Sequence, residues 1–318
     1  MQRLFTHTST FLAIFLIGLF CSSEFAFAQD PSSDQGTEDL ADLTGNDLVT
    51  VSLHSELDRF TPGSTFFLAV QYDIRPGWHI YWRNPGDNGM PPRLSVKASP
   101  GVIVGEPRFP RPEIFQKKRP DSIETSFGYQ GKVCLLLPVR ISESFEGAEV
   151  EFSIELEWLV CKDLCLIGST RMQLSMLRAL PQRPSTVDPA GSRLVNIWRM
   201  RMPVPATEAR ISASIIDDVL LISGSAGLSK QVLFVPDTTP GVTAAVQVPV
   251  SGTILGRRFS LKIPLEIRPE DALGQPLRVA GLVLLGTYDR PRAISVDLPV
   301  PYIPSDKTDS SGAETSSK

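Results

Sequence analysis

Twenty-seven of the 318 residues are proline, and they are spread along the chain instead of being gathered in one tract. Each fixes φ and removes a backbone donor, so long helices cannot account for such a chain. Proline suits strand ends, sheet edges and loops. Between the prolines lie short alternating or apolar runs. A first set comprises Val49 to Leu53, Thr65 to Tyr72, Arg93 to Val96, Lys132 to Val139, Val150 to Trp158 and Met172 to Leu177. A second set comprises Ala209 to Ile216, Val219 to Gly224, Gln231 to Val235, Ala244 to Val250, Arg258 to Pro264, Leu277 to Leu285 and Ala293 to Leu298. Turn residues such as Thr61-Pro62-Gly63-Ser64 and Ser99-Pro100-Gly101 break them. Many short strands with regular turn signals predict sandwiches, not βαβ units.

The N-terminus is set apart from the fold. Arg3 precedes an apolar run, Phe11 to Phe20, which Ala26-Phe27-Ala28 closes. That is the order of a secretory signal, with cleavage expected before Gln29. The run is short for a membrane span, and Phe20 stands before Cys21 where a lipoprotein signal needs a small residue. Residues 1–28 are therefore expected to be a signal peptide, and residues 29–46 a disordered acidic lead-in. No later stretch approaches the roughly 18 apolar residues of a membrane helix. The mature chain is expected to be soluble and exported, where disulfides persist. A formal net charge of −4 argues against nucleic acid as a partner.

The strand sets divide the remainder into a first sandwich at residues 47–179, a polar linker at 180–192, a second sandwich at 193–303 and a tail at 304–318. A short helix is expected from Ser192 to Met202.

Once Cys21 leaves with the signal, Cys134, Cys161 and Cys165 remain. On a continuous strand the Cα atoms of Cys161 and Cys165 would stand about 13 Å apart, whereas a disulfide needs roughly 4.4–6.8 Å. The pair bonds only if the chain turns sharply at Lys162-Asp163, which suits a turn. A loop at a strand end leaves sulfurs accessible, and Lys162 nearby favours the thiolate. A loop this tight is a poor staple on the chain-entropy account and a better redox switch. Spacing alone leaves three roles open: a structural disulfide, a redox pair, or two thiolates holding Cu(I). Zinc wants four ligands, and only His54 and His79 remain as histidines in the mature chain. No cofactor is called for. Cys134, within Val133-Cys134-Leu135-Leu136-Leu137, reads as a buried small hydrophobe, with a third redox thiol as the alternative.

Three segments in order carry a resemblance. They are Gly77-Trp78-His79-Ile80-Tyr81-Trp82-Arg83-Asn84-Pro85-Gly86-Asp87-Asn88-Gly89, then Phe127-Gly128-Tyr129, then Trp158-Leu159-Val160-Cys161-Lys162-Asp163-Leu164-Cys165. Together they resemble the periplasmic N-terminal region of DsbD/ScsB thiol:disulfide interchange proteins, nearest the ScsB type. The match runs from about Val49 to Leu177, and more weakly to Val300. The resemblance implies two immunoglobulin-like β-sandwich domains in tandem and periplasmic localisation. It also implies a redox-active pair at Cys161 and Cys165, with the second cysteine linking to partners. Electrons would come from a membrane carrier of the DsbD type and pass to periplasmic thioredoxin-like oxidoreductases or cytochrome-maturation factors. Because this chain ends after the second β region, that carrier is expected on a separate polypeptide. A mobile loop within Phe109 to Tyr129 is expected to shield the pair, with Phe115 as the shielding residue and Tyr129 nearby. One departure concerns loop shape: Ile167 stands where family members commonly have proline.

Alternation places Trp78, Ile80 and Trp82 on one face of a strand, and His79 and Tyr81 on the other. Core packing explains the first face. On the second, Tyr81 or His79 is a candidate to tune the thiol, and of the two only His79 titrates near neutral pH. Asn84-Pro85-Gly86-Asp87 reads as turn chemistry.

Overall fold

The computed structural model describes residues 43–216, 219–237, 243–244, 249–266, 277–287, 290–300 and 302–303. The expected signal peptide, most of the lead-in and the tail lie outside the described residues. Among those residues, no helix is long and apolar enough to cross a membrane.

Eleven strands build the first part: β1 (Val49–Ser55), β2 (Arg59–Phe60), β3 (Thr65–Ile74), β4 (His79–Gly86), β5 (Arg93–Ala98), β6 (Val102–Val104), β7 (Glu113–Lys118), β8 (Ile123–Gln130), β9 (Lys132–Ile141), β10 (Glu149–Cys161) and β11 (Cys165–Arg178). One sheet runs β1-β3-β9-β6; the other runs β2-β11-β10-β4-β8-β7, with β5 also paired to β10. The fold is mainly β and fits an immunoglobulin-like sandwich. Strict alternation on β10 sends Val150, Phe152, Ile154, Leu156, Trp158 and Val160 inward. They meet Leu68, Val70 and Tyr72 of β3 and Leu135 and Leu137 of β9. Tyr72 and Trp158 pack edge to face, their centroids 5.9 Å apart, a favoured aromatic geometry.

The end of the acidic lead-in is ordered. Thr44 caps a short helix, α1 (Gly45–Leu48), and forms a capping box with Asp47. Asn46 exchanges two hydrogen bonds with the Ser169 backbone, at 3.0 and 2.8 Å.

The segment expected to be a linker is hydrogen-bonded to the first sandwich. Asp58 N–H donates to Thr186 C=O, Thr186 N–H donates back to Asp58 Oδ1, and Ser185 Oγ donates to Arg59 C=O. The expected helix begins earlier, as α2 (Pro189–Arg199), because Asp188 accepts from Gly191 N–H at 2.7 Å and Pro189 supplies a preset φ. Its Val195 and Trp198 join the core of the first sandwich. So α2 packs with the strands before it, although the expected boundary assigned it forward.

Among the described residues beyond α2 lie a sheet centred on residues 277–287 and another in which residues 219–225 pair with residues 258–266. The strand Leu277–Thr287 is apolar on both faces: Leu282 and Leu284 join the first core, while Val283 and Leu285 join the second. A sheet covered on both sides reads as a continuous apolar run. Two polar contacts reinforce this junction: Asn84 Nδ2 donates to Pro236 C=O at 2.8 Å, and Arg83 pairs with Asp237 at 2.6 Å. The Asn84–Gly86 stretch, expected as a turn, is instead the end of β4, with a register irregularity between Tyr81 and Gly86.

Candidate functional site

The site is built at one end of the longest hairpin. Cys161 closes β10 and Cys165 opens β11, and the two are register partners across the hairpin. Lys162-Asp163-Leu164 makes the turn, with Lys162 N–H donating to Leu164 C=O at 3.1 Å. This turn brings the Cα atoms to 4.2 Å, and the sulfurs are bonded at 2.04 Å. In this state neither sulfur offers a thiolate. Ile167 pairs with Leu159 in unbroken register, so β11 begins at the second cysteine. A proline at Ile167 would have fixed φ there and removed its N–H.

The two cysteines differ in access. Cys161 is only 2% exposed, whereas Cys165 is exposed. Cys161 is nevertheless absent from both hydrophobic core clusters. What buries it lies on the outer face of the sheet.

That outer cover begins with a change of strand partners. Between Phe152 and Glu157, β10 pairs with β5; at Val160 and Cys161 it pairs with β4. The switch sets His79 opposite Cys161 and Ile80 opposite Val160. Trp78, Ile80 and Trp82 enter the core as alternation predicts. Tyr81 is 4% exposed yet outside that core. It is covered from outside by Gly89, where an added Cβ would lie 2.3 Å from Tyr81 Cε1.

The segment expected to shield the pair is a hairpin, β7–β8, hydrogen-bonded to the outer edge of β4. Phe115 on β7 lays its ring 4.8 Å from that of His79, which meets Tyr81 edge to face at 5.1 Å. Phe115, His79 and Tyr81 thus form an aromatic stack, of which His79 is the register partner of Cys161. Lys117 of the same hairpin reaches Asp163 in the cysteine turn at 3.8 Å. Lys162 extends toward Gly77, where a Cβ would lie 3.9 Å from its Cε.

Tyr129 does not join this group. It is the register partner of Ile80, on the inward face, and its hydroxyl donates to Pro110 C=O at 2.8 Å. Its place there is to anchor the entry to β7, and burial holds its phenol well above the usual range. Cys134 sits in β9, on the other sheet, opposite Gln71. It is fully buried and unbonded, and burial pushes its thiol far above the ordinary range. That favours the buried-hydrophobe reading over a third redox thiol.

Burial also sets the charge states of the stack. It lowers the His79 pKa, so the imidazole is neutral at neutral pH. It raises that of Tyr81, with help from the Glu124 carboxylate. His79 Nε2 is buried and has no hydrogen-bond partner. Among the described residues, no group of three or more His, Cys, Asp or Glu side chains is arranged to hold a metal ion. Sequence reasoning missed the covering role of Gly89 and the Lys117–Asp163 pair. The first was signalled only by a turn-forming Asn-Gly, and the second by nothing in the pattern.

No curated protein sequence matches the chain. The N-terminal periplasmic domain of ScsB from Proteus mirabilis has a similar structure, with 18% identity and a TM-score of 0.54, covering 80% of this chain and 95% of that one. At that identity the likeness is one of fold. The N-terminal domain of DsbD from Neisseria meningitidis, in its reduced form, aligns over 46% of this chain and 95% of its own, with 12% identity and a TM-score of 0.26. Residues 50–176 match the family described as thiol:disulfide interchange protein DsbD, N-terminal. Over those residues the match supports a domain similar to the N-terminal domain of DsbD.

Proposed function

We propose that Cys161 and Cys165 form a periplasmic thiol–disulfide exchange couple. It takes two electrons from a membrane carrier of the DsbD type and gives them to thioredoxin-like oxidoreductases or cytochrome-maturation factors. The observation that carries this reading is the asymmetry of the pair: one exposed cysteine and one buried cysteine, on a hairpin end whose register neighbour His79 belongs to an aromatic group. A structural staple has no need of an exposed sulfur, whereas exchange by attack on one needs access to it.

In the oxidised state a thiolate of the donor attacks Cys165 Sγ. The Sγ–Sγ bond breaks, its electron pair passes to Cys161, and a mixed disulfide joins Cys165 to the donor. The donor's second thiolate then attacks its own bonded sulfur and releases Cys165, leaving donor disulfide and chain dithiol. Reversal of these steps against an acceptor disulfide delivers the two electrons.

Mature Cys161→Ala, expressed in the envelope, is expected to accumulate mixed disulfides through Cys165. Cys165→Ala is expected to accumulate far fewer, because its remaining thiol is buried. The reduction potential of the parent pair is expected above about −300 mV, the region below which structural bridges lie. A potential well below that value, with no trapped species in either variant, would overturn the proposal.

A further inference from the structure

We propose that His79 accepts the proton of the Cys161 thiol when the reduced pair closes its disulfide and releases an acceptor. This rests on exchange at Cys161–Cys165 as proposed above, and assigns one residue a role within it.

Register carries the geometry. His79 and Cys161 are direct cross-strand partners, and such residues hold their Cβ atoms about 4.5–5.5 Å apart on one face. An imidazole so placed reaches the sulfur directly or through one water, the reach a general base needs. In the disulfide state the Cys161 sulfur carries no proton, and His79 Nε2 is buried without a partner. Buried polar nitrogens are seldom left unpaired without a reason. Reduction creates the missing partner, an S–H on the facing residue. The ring cannot readily turn away, since Phe115 and Tyr81 flank it at 4.8 and 5.1 Å.

Other groups around His79 do not compete for this role. On its own strand, Tyr81 is kept protonated by burial and by Glu124. Across β8 stands Gln130, which does not titrate. On β7, beyond Phe115, Lys117 is paired with Asp163 of the cysteine turn. Lys162 is turned toward Gly77. His79 is held neutral by burial, and is therefore a free base at neutral pH. Cys161 needs one, because burial disfavours a thiolate, as the pushed-up thiol of Cys134 illustrates.

Cys165 has attacked an acceptor disulfide and is bonded to one acceptor sulfur; the other has left as a thiolate. Cys161 gives its proton to His79, and the resulting thiolate attacks Cys165 Sγ. The Sγ–Sγ bond forms, and the bonded acceptor sulfur leaves with the electron pair and collects the proton from His79. The chain has lost two electrons and the acceptor has gained two.

The test uses the reduced mature chain and 5,5′-dithiobis(2-nitrobenzoate), whose thiolate is followed by absorbance. Attack by Cys165 releases the first thiolate, and closure by Cys161 releases the second. In His79→Gln and in His79→Asn the first phase is expected within about two-fold of the parent. The second is expected to slow about 100-fold near pH 7, the lower end of general-base effects. The parent supplies an independent readout: its closure rate is expected to be flat between about pH 7 and pH 9. An unassisted buried thiol would gain about ten-fold per pH unit in that range, in proportion to its thiolate fraction. Closure within two-fold of the parent in a folded variant, or a ten-fold rise per pH unit in the parent, overturns the assignment. A parent that shows no two-step release refutes the exchange reading itself, and so the two failures are distinct.

Discussion

An exchange couple must remain folded in both redox states, and the size of the Cys161–Cys165 loop sets how much reduction can cost. The disulfide closes five residues, Cys161 to Cys165, at a sequence separation of 4. On the chain-entropy relation a loop of that size removes about 7 cal/mol/K from the unfolded ensemble, or about 2 kcal/mol at 25 °C. A long-loop bridge would contribute about 4–5 kcal/mol on the same relation. The hairpin does not depend on the bond for its register, because the pairing continues from Cys161–Cys165 down to Glu149–Leu177. Reduction is therefore expected to lower the stability of the chain by about 2 kcal/mol. For a domain of this size that is a fall of about 4–8 °C in Tm. Thermal and urea unfolding, with and without a phosphine reductant, measure it. Unfolding on reduction, or a loss above about 4 kcal/mol, would refute the switch argument and identify the bridge as a staple.

Further consequences follow from the cover and the junction. Phe115→Ala removes the outer ring of the stack; because Phe115 is only half-buried, its stability cost is expected near 1 kcal/mol. The reduction of the pair by dithiothreitol is expected to accelerate several-fold, as followed by thiol alkylation. Asn84→Ala leaves the buried Pro236 carbonyl without its donor, a loss of about 1–3 kcal/mol readable in urea unfolding. His79 gives a pH signature to stability. Its folded pKa lies below the unfolded value of about 6.5, so the unfolded chain binds the proton first as pH falls. Stability is expected to be intact above about pH 6.5 and to decline below it, toward the lowered folded pKa. His79→Gln should flatten that decline in urea midpoints measured across the range, and an unchanged slope would contradict it.

Much of the site was legible because strand periodicity is local. The alternation that separates Trp78, Ile80 and Trp82 from His79 and Tyr81 follows from the pleat alone. The alternation of β10 from Val150 to Val160 likewise announced a half-buried strand, and the turn at Lys162-Asp163 was required if the cysteines were to bond. The segment Phe109 to Tyr129 holds a hairpin whose Phe115 meets His79, and that form was not apparent in the sequence. Ile114 to Lys118 has little apolar alternation to mark a strand, and the hairpin is held by pairing of β8 to β4. Tyr129 was misassigned for a related reason. Its side depends on whether it faces His79 or Ile80, and a one-residue change of register reverses that.

The chain's own order of residues thus determined the β architecture, the paired cysteines and the aromatic strand beside them, since each rests on proline placement, period-two alternation or short-range spacing. Tertiary structure decided which strand lies opposite Cys161, and so that His79 is its register partner. It decided that Cys161 is buried while Cys165 is open, and that Leu277–Thr287 serves two cores at once. Those outcomes depend on the partner switch of β10 from β5 to β4 and on contacts between residues far apart in the chain. Strand register across such distances is set by the packing of whole faces, a property no local stretch of sequence contains.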